Sequence, residues 1–258
     1  MSAEQQQFIE ATAEQAELFL ARMLLVAVKA PPKTFDPNGN TKDPEHYPAD
    51  TEAFHRALTV GRPAVLRAAQ TWMRGGLQGD LDELEVQVDQ IVRAGSPWLN
   101  ALQFDQLPFH TKPSVVDFLA RIRTKYGLPI ILQCHKSSME ALRPDNMAAA
   151  LAKLAIDYAL FDASHGDGKE LDAAYLSPYL EACFASPELA NVSFGVAGGL
   201  RGDRVLQHLP AVLENYPIGW DAEAQLRSVR PDSSRPLDLM RVAEYIHASA
   251  EVTSCYNR

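Results

Sequence analysis

Residues 193–213, SFGVAGGLRGDRVLQHLPAVL, contain one complete strand–helix unit of an α/β fold. The apolar run SFGV predicts a short strand, and the glycines after it predict a tight turn. Apolar residues at three- and four-residue spacing in GDRVLQHLPAVL predict a helix with one buried face. Similar units follow one another from about residue 98 onward, which predicts parallel strands that are each followed by a helix.

Each predicted strand is short, apolar throughout, and followed at once by polar residues or glycine. These features are typical of a strand that is buried on both faces and opens onto solvent at its C-terminal end. Doubly wound sheets and (β/α)8 TIM barrels share this pattern, so the alternation alone leaves both folds open. The predicted strands are Leu99–Gln103, Pro129–Gln133, Tyr158–Phe161, Ser193–Val196 and Ile218–Trp220.

The first 97 residues have a less regular pattern. Residues 1–22 predict an N-terminal helix, and Met23–Val28 is either its continuation or a first strand. Residues 30–50 contain five prolines and predict a loop, because proline removes a backbone donor and restricts its neighbour. PAVLRAAQTWM, residues 63–73, predicts another strand, and residues 80–95 predict a helix. We expect one domain over residues 1–258, in which residues 1–97 either complete a barrel or replace part of it.

Composition excludes several classes of protein. The formal net charge is −9 and no cluster of basic residues occurs, so we expect no nucleic-acid partner. Cys134, Cys183 and Cys255 lie far apart and form no CxxC pair, which argues against a disulfide framework or a thiolate zinc site. The N-terminus has no basic segment and its apolar run is too short to span a bilayer, so we expect no membrane partner and a cytoplasmic monomer or homodimer.

Polar residues follow the predicted strands at the ends where α/β folds bind their ligands. The candidates at these ends are Gln103, Asp105, Cys134, His135, Lys136, Asp162, His165, Gly166, Gly168, Gly198, Gly199, Asp221 and Glu223. Asp162 directly follows the apolar run YALF, where partial desolvation suits a carboxyl group to general acid catalysis. The alternative for Asp162 is an aspartate that accepts hydrogen bonds from the next loop.

Two pairs of glycines suggest a phosphate site. Gly198 and Gly199 precede a helix, so their backbone N–H groups and the helix N-terminus could approach one anion. The same ambiguity between a phosphate loop and a plain tight turn holds for Gly166 and Gly168. A mixed metal site would need several of the strand-end residues to converge, and no local motif supports it. We therefore expect no cofactor, with a divalent metal on His135, His165, Asp105, Asp162 and Glu223 as the alternative.

The C-terminal half resembles the phosphoribosylanthranilate isomerase family of (β/α)8 barrels over about residues 99–250. That family has a strand-ending Asp before a Gly-Gly-Thr-Gly-Lys-x-Phe-Asp loop, as in Asp162 followed by residues 165–172, HGDGKELD. It then has Ala-Gly-Gly-Leu, as in residues 197–200, and an Asp that begins the segment after its last strand, as in Asp221. Gln103 resembles the start of its Gln-Leu-His-Gly strand end. The resemblance implies a TIM barrel, here with an atypical N-terminal part and an extra N-terminal helix.

The family resemblance also implies a mechanism with two catalytic groups, one of which is missing from its usual place in this chain. It gives Asp162 the role of general acid, while the Lys-x-Cys-Gly motif that supplies the general base is absent from the first 97 residues. The candidate bases are His135, Lys136, Cys134 and His165. Glu223 stands where the family binds phosphate, and a carboxylate there would repel a phosphate group. Either the substrate carries one phosphate fewer, or Arg201, Arg204 or Arg227 replaces the lost donors, or the ligand differs altogether.

Two functions follow from these patterns. The first is an isomerase or lyase that acts on a small carbonyl or sugar compound, with or without a phosphate group, by general acid–base chemistry. In that hypothesis the remaining strand-end residues bind the substrate or its phosphate: Gln103, Asp105, Gly166, Gly168, Gly198, Gly199, Asp221 and Glu223. The second is a barrel that has lost this chemistry and acts as a binding or assembly protein.

Overall fold

The computed structural model describes residues 3–15, 25–35, 47–59, 66–73, 79–164, 169–230 and 235–256. These residues form one sheet of seven parallel strands, which pair in the order in which they occur along the chain. For each strand, at least one end lies within two residues of the predicted end. The prediction succeeds because the strands coincide with apolar runs that are buried between two layers of structure. The strands are β1 Leu25–Lys29, β2 Leu66–Trp72, β3 Ala101–Asp105, β4 Ile130–His135, β5 Tyr158–Asp162, β6 Ser193–Ala197 and β7 Gly219–Asp221.

The sheet is curled so that its first and last strands meet at their C-terminal ends. Lys29 Nζ, at the end of β1, lies 2.5 Å from Oε1 of Glu223, two residues after β7. A flat sheet would separate β1 from β7 by about 29 Å, at ~4.8 Å for each of the intervening spacings. Within the described residues, β1 and β7 share no backbone pairing. The sheet is therefore a barrel with one open seam, which we call the β1–β7 seam.

Helices alternate with the strands, as the three- and four-residue spacing predicted. Asp80 and Asp172 accept hydrogen bonds from backbone N–H groups in the first turns of the helices that follow them. Gly127, at φ 64°, ends another helix in the left-handed conformation. The helices are α1 Ala3–Gln15, α2 Thr51–Thr59, α3 Leu81–Gly95, α4 Ser114–Tyr126, α5 Lys136–Ala141, α6 Pro144–Leu151, α7 Ala173–Ala185, α8 Gly202–Leu213 and α9 Leu239–Tyr256.

The N-terminal part supplies two strands and covers the β1–β7 seam. Residues 25–29 form a strand rather than a continuation of the helix, and residues 66–72 form the second predicted strand. Helix α1 packs against α9. It is also joined to β2, since Glu10 Oε1 lies 3.8 Å from a guanidinium nitrogen of Arg67 and both side chains are buried.

The fold prediction of a TIM barrel with an atypical N-terminal part is confirmed by seven parallel strands and their alternating helices. The rest of the predicted N-terminal helix, residues 1–2 and 16–22, lies outside the described residues. In the proline-rich segment, residues 32–35 form a 3-10 helix, and residues 36–46 also lie outside the described residues. No helix in the described part of the chain combines the length and the apolar character needed to cross a membrane.

The two faces of the sheet are packed differently. The outer face, beneath the helices, holds large buried side chains such as Phe104, Leu132 and Phe161. The inner face is lined by smaller residues at many positions, among them Ala27, Ala68, Ala101, Gly195 and Gly219. Barrel interiors are usually filled by bulky branched side chains, so this composition leaves space inside the barrel.

Candidate functional site

Inward-pointing polar side chains lie at the C-terminal ends of the strands, an edge that we call the mouth. Successive residues of a strand point to opposite faces, so alternate positions of neighbouring strands bring their side chains into one space. The inward positions near the mouth are occupied by Gln70 of β2, Gln103 and Asp105 of β3, Gln133 and His135 of β4, Asp162 of β5 and Asp221 of β7. The strand-end prediction therefore placed most of these residues together, and it missed Gln70 and Gln133.

Asp162 is held by three hydrogen bonds from the protein. Its Oδ2 accepts from Gln133 Nε2 at 3.0 Å. Its Oδ1 accepts from the backbone N–H of Ser164 at 2.8 Å and from the Ser164 hydroxyl at 2.7 Å. All three side chains are buried, so the carboxylate of Asp162 has a fixed position at the mouth. The Asp162–Ser164 contacts match the loop-capping alternative, and they leave the predicted role as general acid untested.

Three glutamines form a buried amide group beside Asp162. Gln70 Nε2 and Gln103 Nε2 each approach Oε1 of Gln133, at 3.4 and 3.3 Å. Glutamine is seldom buried without a partner, because an unsatisfied amide loses its hydrogen bonds to water. Sequence could have indicated this group, since each glutamine interrupts an apolar strand at an inward position. The amides offer both donors and acceptors to a polar ligand.

His135 and Asp105 form a close pair at the mouth, in which Nε2 of the imidazole contacts Oδ1 of the carboxylate. Burial alone lowers the pKa of His135, but the hydrogen bond and charge of Asp105, with the charge of Asp162, raise it above its ordinary value. The raised pKa makes the imidazole a stronger base, and Asp105 stabilises the imidazolium that forms. This pair and Asp162 bring a proton acceptor and a second carboxylate to one place.

The predicted glycine turn is present after β6, and its geometry explains the glycines. Gly198 has φ 122° and Gly199 has φ 61°, a region of backbone conformation that other residues rarely adopt. A Cβ at Gly198 would lie 3.2 Å from Cβ of Ser164. Gly198 therefore lets the loop close against the Asp162–Ser164 pair. Arg204 of α8 donates a hydrogen bond to the carbonyl of Gly199 at 3.0 Å, which places a cation near this turn.

Two candidate bases lie outside the group of inward-pointing side chains at the mouth. Cys134 is fully buried on the outer face of β4, because it alternates with the inward Gln133 and His135. Burial, with the nearby Cys183, raises the pKa of the Cys134 thiol. Lys136 begins α5 and forms an ion pair with Glu140 at 3.7 Å. The structure thus argues against Cys134 as the base and does not bring Lys136 into the cluster of carboxylates.

Three candidates fall outside the described residues: His165, Gly166 and Gly168. Their predicted roles remain predictions. The proposed metal set is also incomplete among the described residues, where no group of three or more His, Cys, Asp and Glu side chains is arranged to hold a metal ion. His135, Asp105 and Asp162 lie near one another, but Glu223 is engaged at the β1–β7 seam.

Glu223 has two cationic neighbours, of which sequence reasoning missed Lys29. It pairs with Lys29 at 2.5 Å and lies 3.8 Å from Nε of Arg227. Lys29 comes from the opposite side of the seam, so no local spacing in the sequence could have indicated this pair. The charge of Glu223 is therefore largely balanced within the protein, and its predicted part in binding a substrate or its phosphate stays a prediction.

A cavity of about 390 Å³ lies inside the barrel and extends to the β1–β7 seam beneath α1 and α9. We call it the lateral cavity. Its lining is mainly apolar, with Trp220 and Tyr245 near the carboxylate of Asp221. Burial, the charges of Glu223 and Asp162, and an opposing effect of Lys29 bring the pKa of Asp221 from an ordinary 3.8 to about 6. Asp221 keeps accessible surface although protein surrounds it, because that surface faces the cavity.

No protein-family model and no curated protein sequence matches this chain. Solved structures do match in fold. TrpF from Jonesia denitrificans, a phosphoribosylanthranilate isomerase, is 16% identical with a TM-score of 0.56, over 95% of this chain and 92% of that one. The tryptophan synthase subunit alpha from Legionella pneumophila is 16% identical with a TM-score of 0.50, over 96% and 99% of the two chains.

A third similar structure is the ribulose-1,5-bisphosphate carboxylase/oxygenase from Pyrococcus horikoshii. It is 11% identical with a TM-score of 0.56, and the match covers 96% of this chain but 56% of that chain. At such identities the likeness shows the fold alone. The resemblance to the isomerase family is thus confirmed at the level of the TIM barrel, which hosts many unrelated chemistries.

Proposed function

We propose that this barrel is an isomerase or lyase that moves a proton on a small carbonyl or sugar compound. The observation that carries the proposal is the His135–Asp105 pair beside Asp162 at the mouth. Among the candidate bases with a described position, His135 is the one that contacts one carboxylate, Asp105, and lies near a second, Asp162. Such a pair suits the removal of a proton from carbon next to a carbonyl group.

The roles follow from the contacts. Neutral His135 removes the proton from the carbon adjacent to the substrate carbonyl, and Asp105 orients the ring and stabilises the resulting imidazolium. The electron pair left by that proton forms a carbon–carbon double bond, and the carbonyl oxygen takes up a proton from an acid, for which Asp162 is the candidate. In an isomerisation, His135 returns its proton to the former carbonyl carbon, while the hydroxyl group on the first carbon gives its proton back to the acid and becomes the new carbonyl group. In a lyase reaction, the carbonyl group re-forms by returning its proton to the acid, a leaving group departs from the carbon on the other side of the first carbon, and that group takes up the proton held by His135.

The other mouth residues support a polar substrate. The amides of Gln70 and Gln103 have donor and acceptor positions for hydroxyl groups of a sugar. An anionic group on the substrate would be attracted to the start of α8, where Arg204 and the backbone of Gly199 lie. The solved structures that share the fold include several enzymes, which supports an enzyme over a plain scaffold.

Solvent deuterium exchange tests the proposal whatever the final product of the reaction is. The protein would be incubated in D₂O with a panel of small aldoses, ketoses and their phosphates, and proton NMR would follow loss of the signal next to each carbonyl. We expect catalysed exchange for at least one compound, and a loss of about 10²–10⁴-fold in His135→Gln. Asp162→Asn should also lose most of the exchange, whereas His247→Gln, on the exposed side of α9, should match the wild type.

Two outcomes would overturn the proposal. The first is that no compound exchanges faster than in buffer, which would favour the binding or assembly protein instead. The second is exchange that survives in His135→Gln at the wild-type rate. In a tryptophan auxotroph that lacks phosphoribosylanthranilate isomerase we expect no growth, because the Lys-x-Cys-Gly motif is absent and Cys134 lies in the outer core.

A further inference from the structure

The lateral cavity is large enough to hold a small molecule. Its volume of about 390 Å³ falls within the range of roughly 300–1,000 Å³ that is typical of small-molecule sites. The space exists because Ala27, Gly195 and Gly219 present almost no side chain to it. At its outer end the cavity is lined by Gln5 and Ile9 of α1, whose side chains are partly exposed.

Aromatic and aliphatic side chains form the walls around one carboxylate. Trp220 is fixed by a hydrogen bond from its Nε1 to the Ser249 hydroxyl at 3.0 Å. Burial raises the pKa of the Tyr245 phenol, and the negative charge of Asp221 raises it further. Leu226 and Ile246 complete an apolar surface beside the two aromatic rings.

The carboxylates near the cavity differ in how their charges are balanced. Glu223 is paired with Lys29 of β1 and with Arg227. Asp162 of β5 accepts a hydrogen bond from the Gln133 side chain at the mouth. Asp221 accepts a hydrogen bond from the backbone of Ala222, but within the described residues no side chain donates one to it. Among the described residues, Lys29 and Arg227 pair with Glu223, whereas Asp221 lies in an apolar enclosure without an ion pair of its own, and the charge of Lys29 acts on it from a longer distance.

We propose that the lateral cavity binds a small primary amine with an aromatic or aliphatic body, whose ammonium group pairs with Asp221 while the body packs on Trp220 and Tyr245. An ammonium group supplies both the missing charge and hydrogen-bond donors for the carboxylate. Aromatic faces attract cations by their quadrupoles, with a preference for tryptophan. A carboxylate ligand would instead be repelled by Asp221.

The proposal does not rest on proton transfer at the mouth. Asp221 is ionised above the pKa of about 6, so the amine should bind best at neutral pH and lose affinity as the pH falls below that value. The groups that face Asp221 are Lys29, Asp162, Glu223 and Tyr245.

Isothermal titration with two ligands of the same shape tests this site. Benzylamine carries the cation and benzyl alcohol is its neutral counterpart. We expect the full-length protein at pH 7.5 to bind benzylamine at least about tenfold more tightly than benzyl alcohol, which corresponds to ~1.4 kcal/mol. Asp221→Asn should remove that preference. Glu251→Gln, an exposed carboxylate on the same helix as Tyr245, should keep it.

Several controls keep the outcome decisive. Ala222→Leu adds volume to the cavity wall and leaves Asp221 in place, so it should weaken both ligands; it decides the matter if Asp221→Asn fails to fold. His135→Gln should still bind benzylamine, which separates this site from the proposed reaction. The proposal fails if benzylamine does not bind, if Asp221→Asn leaves its preference unchanged, or if benzyl alcohol binds equally well to the wild type.

Discussion

The two faces of strands β4 and β5 differ in polarity, although the residues that form them alternate along the chain. Cys134 and Phe161 point outward into a layer that is closed to solvent, while Gln133, His135 and Asp162 point inward to the mouth. Neighbouring residues in the chain therefore serve different ends. The outer face stabilises the barrel by packing. The inner face is less tightly packed, and it carries polar groups and encloses the lateral cavity.

The largest effect should come from the outer face. Phe161 is completely buried, with its ring centroid 6.4 Å from that of Phe194 and 6.3 Å from that of Tyr179. Phe161→Ala should lower the free energy of unfolding by about 3–5 kcal/mol, because a cavity replaces the ring. Urea denaturation followed by circular dichroism measures this. Met240→Ala, at a side chain that is 70% exposed, should change stability by less than ~0.5 kcal/mol.

Substitution of a polar residue on the inner face should lower the free energy of unfolding by less. Gln133→Leu removes the donor to Asp162 and the acceptor shared by Gln70 and Gln103. We expect a loss of about 1–3 kcal/mol in the free energy of unfolding, the usual penalty for unsatisfied buried groups. The matched change Gln207→Leu, on the exposed side of α8, serves as the control. Equal stability of both variants would show that the amide group contributes nothing to the fold.

Two glycines distinguish the packed and the open regions. A Cβ at Gly202 would lie 3.0 Å from the backbone carbon of Glu244, whereas at Gly219 the nearest atom would be 4.0 Å away. Gly202→Ala should therefore destabilise the protein by about 1–3 kcal/mol through overpacking. Gly219→Ala should be neutral or should stabilise it by up to ~1 kcal/mol, since the unfolded chain loses freedom. Thermal unfolding of the two variants compares them, and the reverse order would contradict the hollow inner face.

The smallest effect should be a change in pH dependence. The pKa of Asp221 is raised from 3.8 to about 6, so between those values the folded state holds a proton that the unfolded state has lost. The contribution of Asp221 to stability is therefore present below pH ~4 and lost as the pH rises through about 6. Asp221→Asn should remove this decline. Denaturation curves at pH 4, 5, 6 and 7 for wild type and variant test the sign of this effect. It would be refuted if the stability of the wild type rose with pH relative to that of Asp221→Asn.

Much of the site was predictable because parallel strands expose their C-terminal ends together. Asp105, His135, Asp162 and Asp221 each follow or end an apolar run, and all four reach the mouth. The choice among Cys134, His135 and Lys136 was not predictable in the same way. These residues are consecutive, and which one points inward depends on where β4 begins in the sheet, a matter of register with β3 and β5.

The sequence by itself determined the alternation of strands and helices, because the periodicity of apolar residues is a local property of the chain. It also determined which residues stand at the strand ends. Only the tertiary structure decided that the sheet curls until Lys29 meets Glu223, and that small inward residues from distant strands combine into one cavity. It alone decided that Asp221 is enclosed with no side-chain donor among the described residues. These features depend on contacts between segments far apart in the chain, which no local pattern encodes.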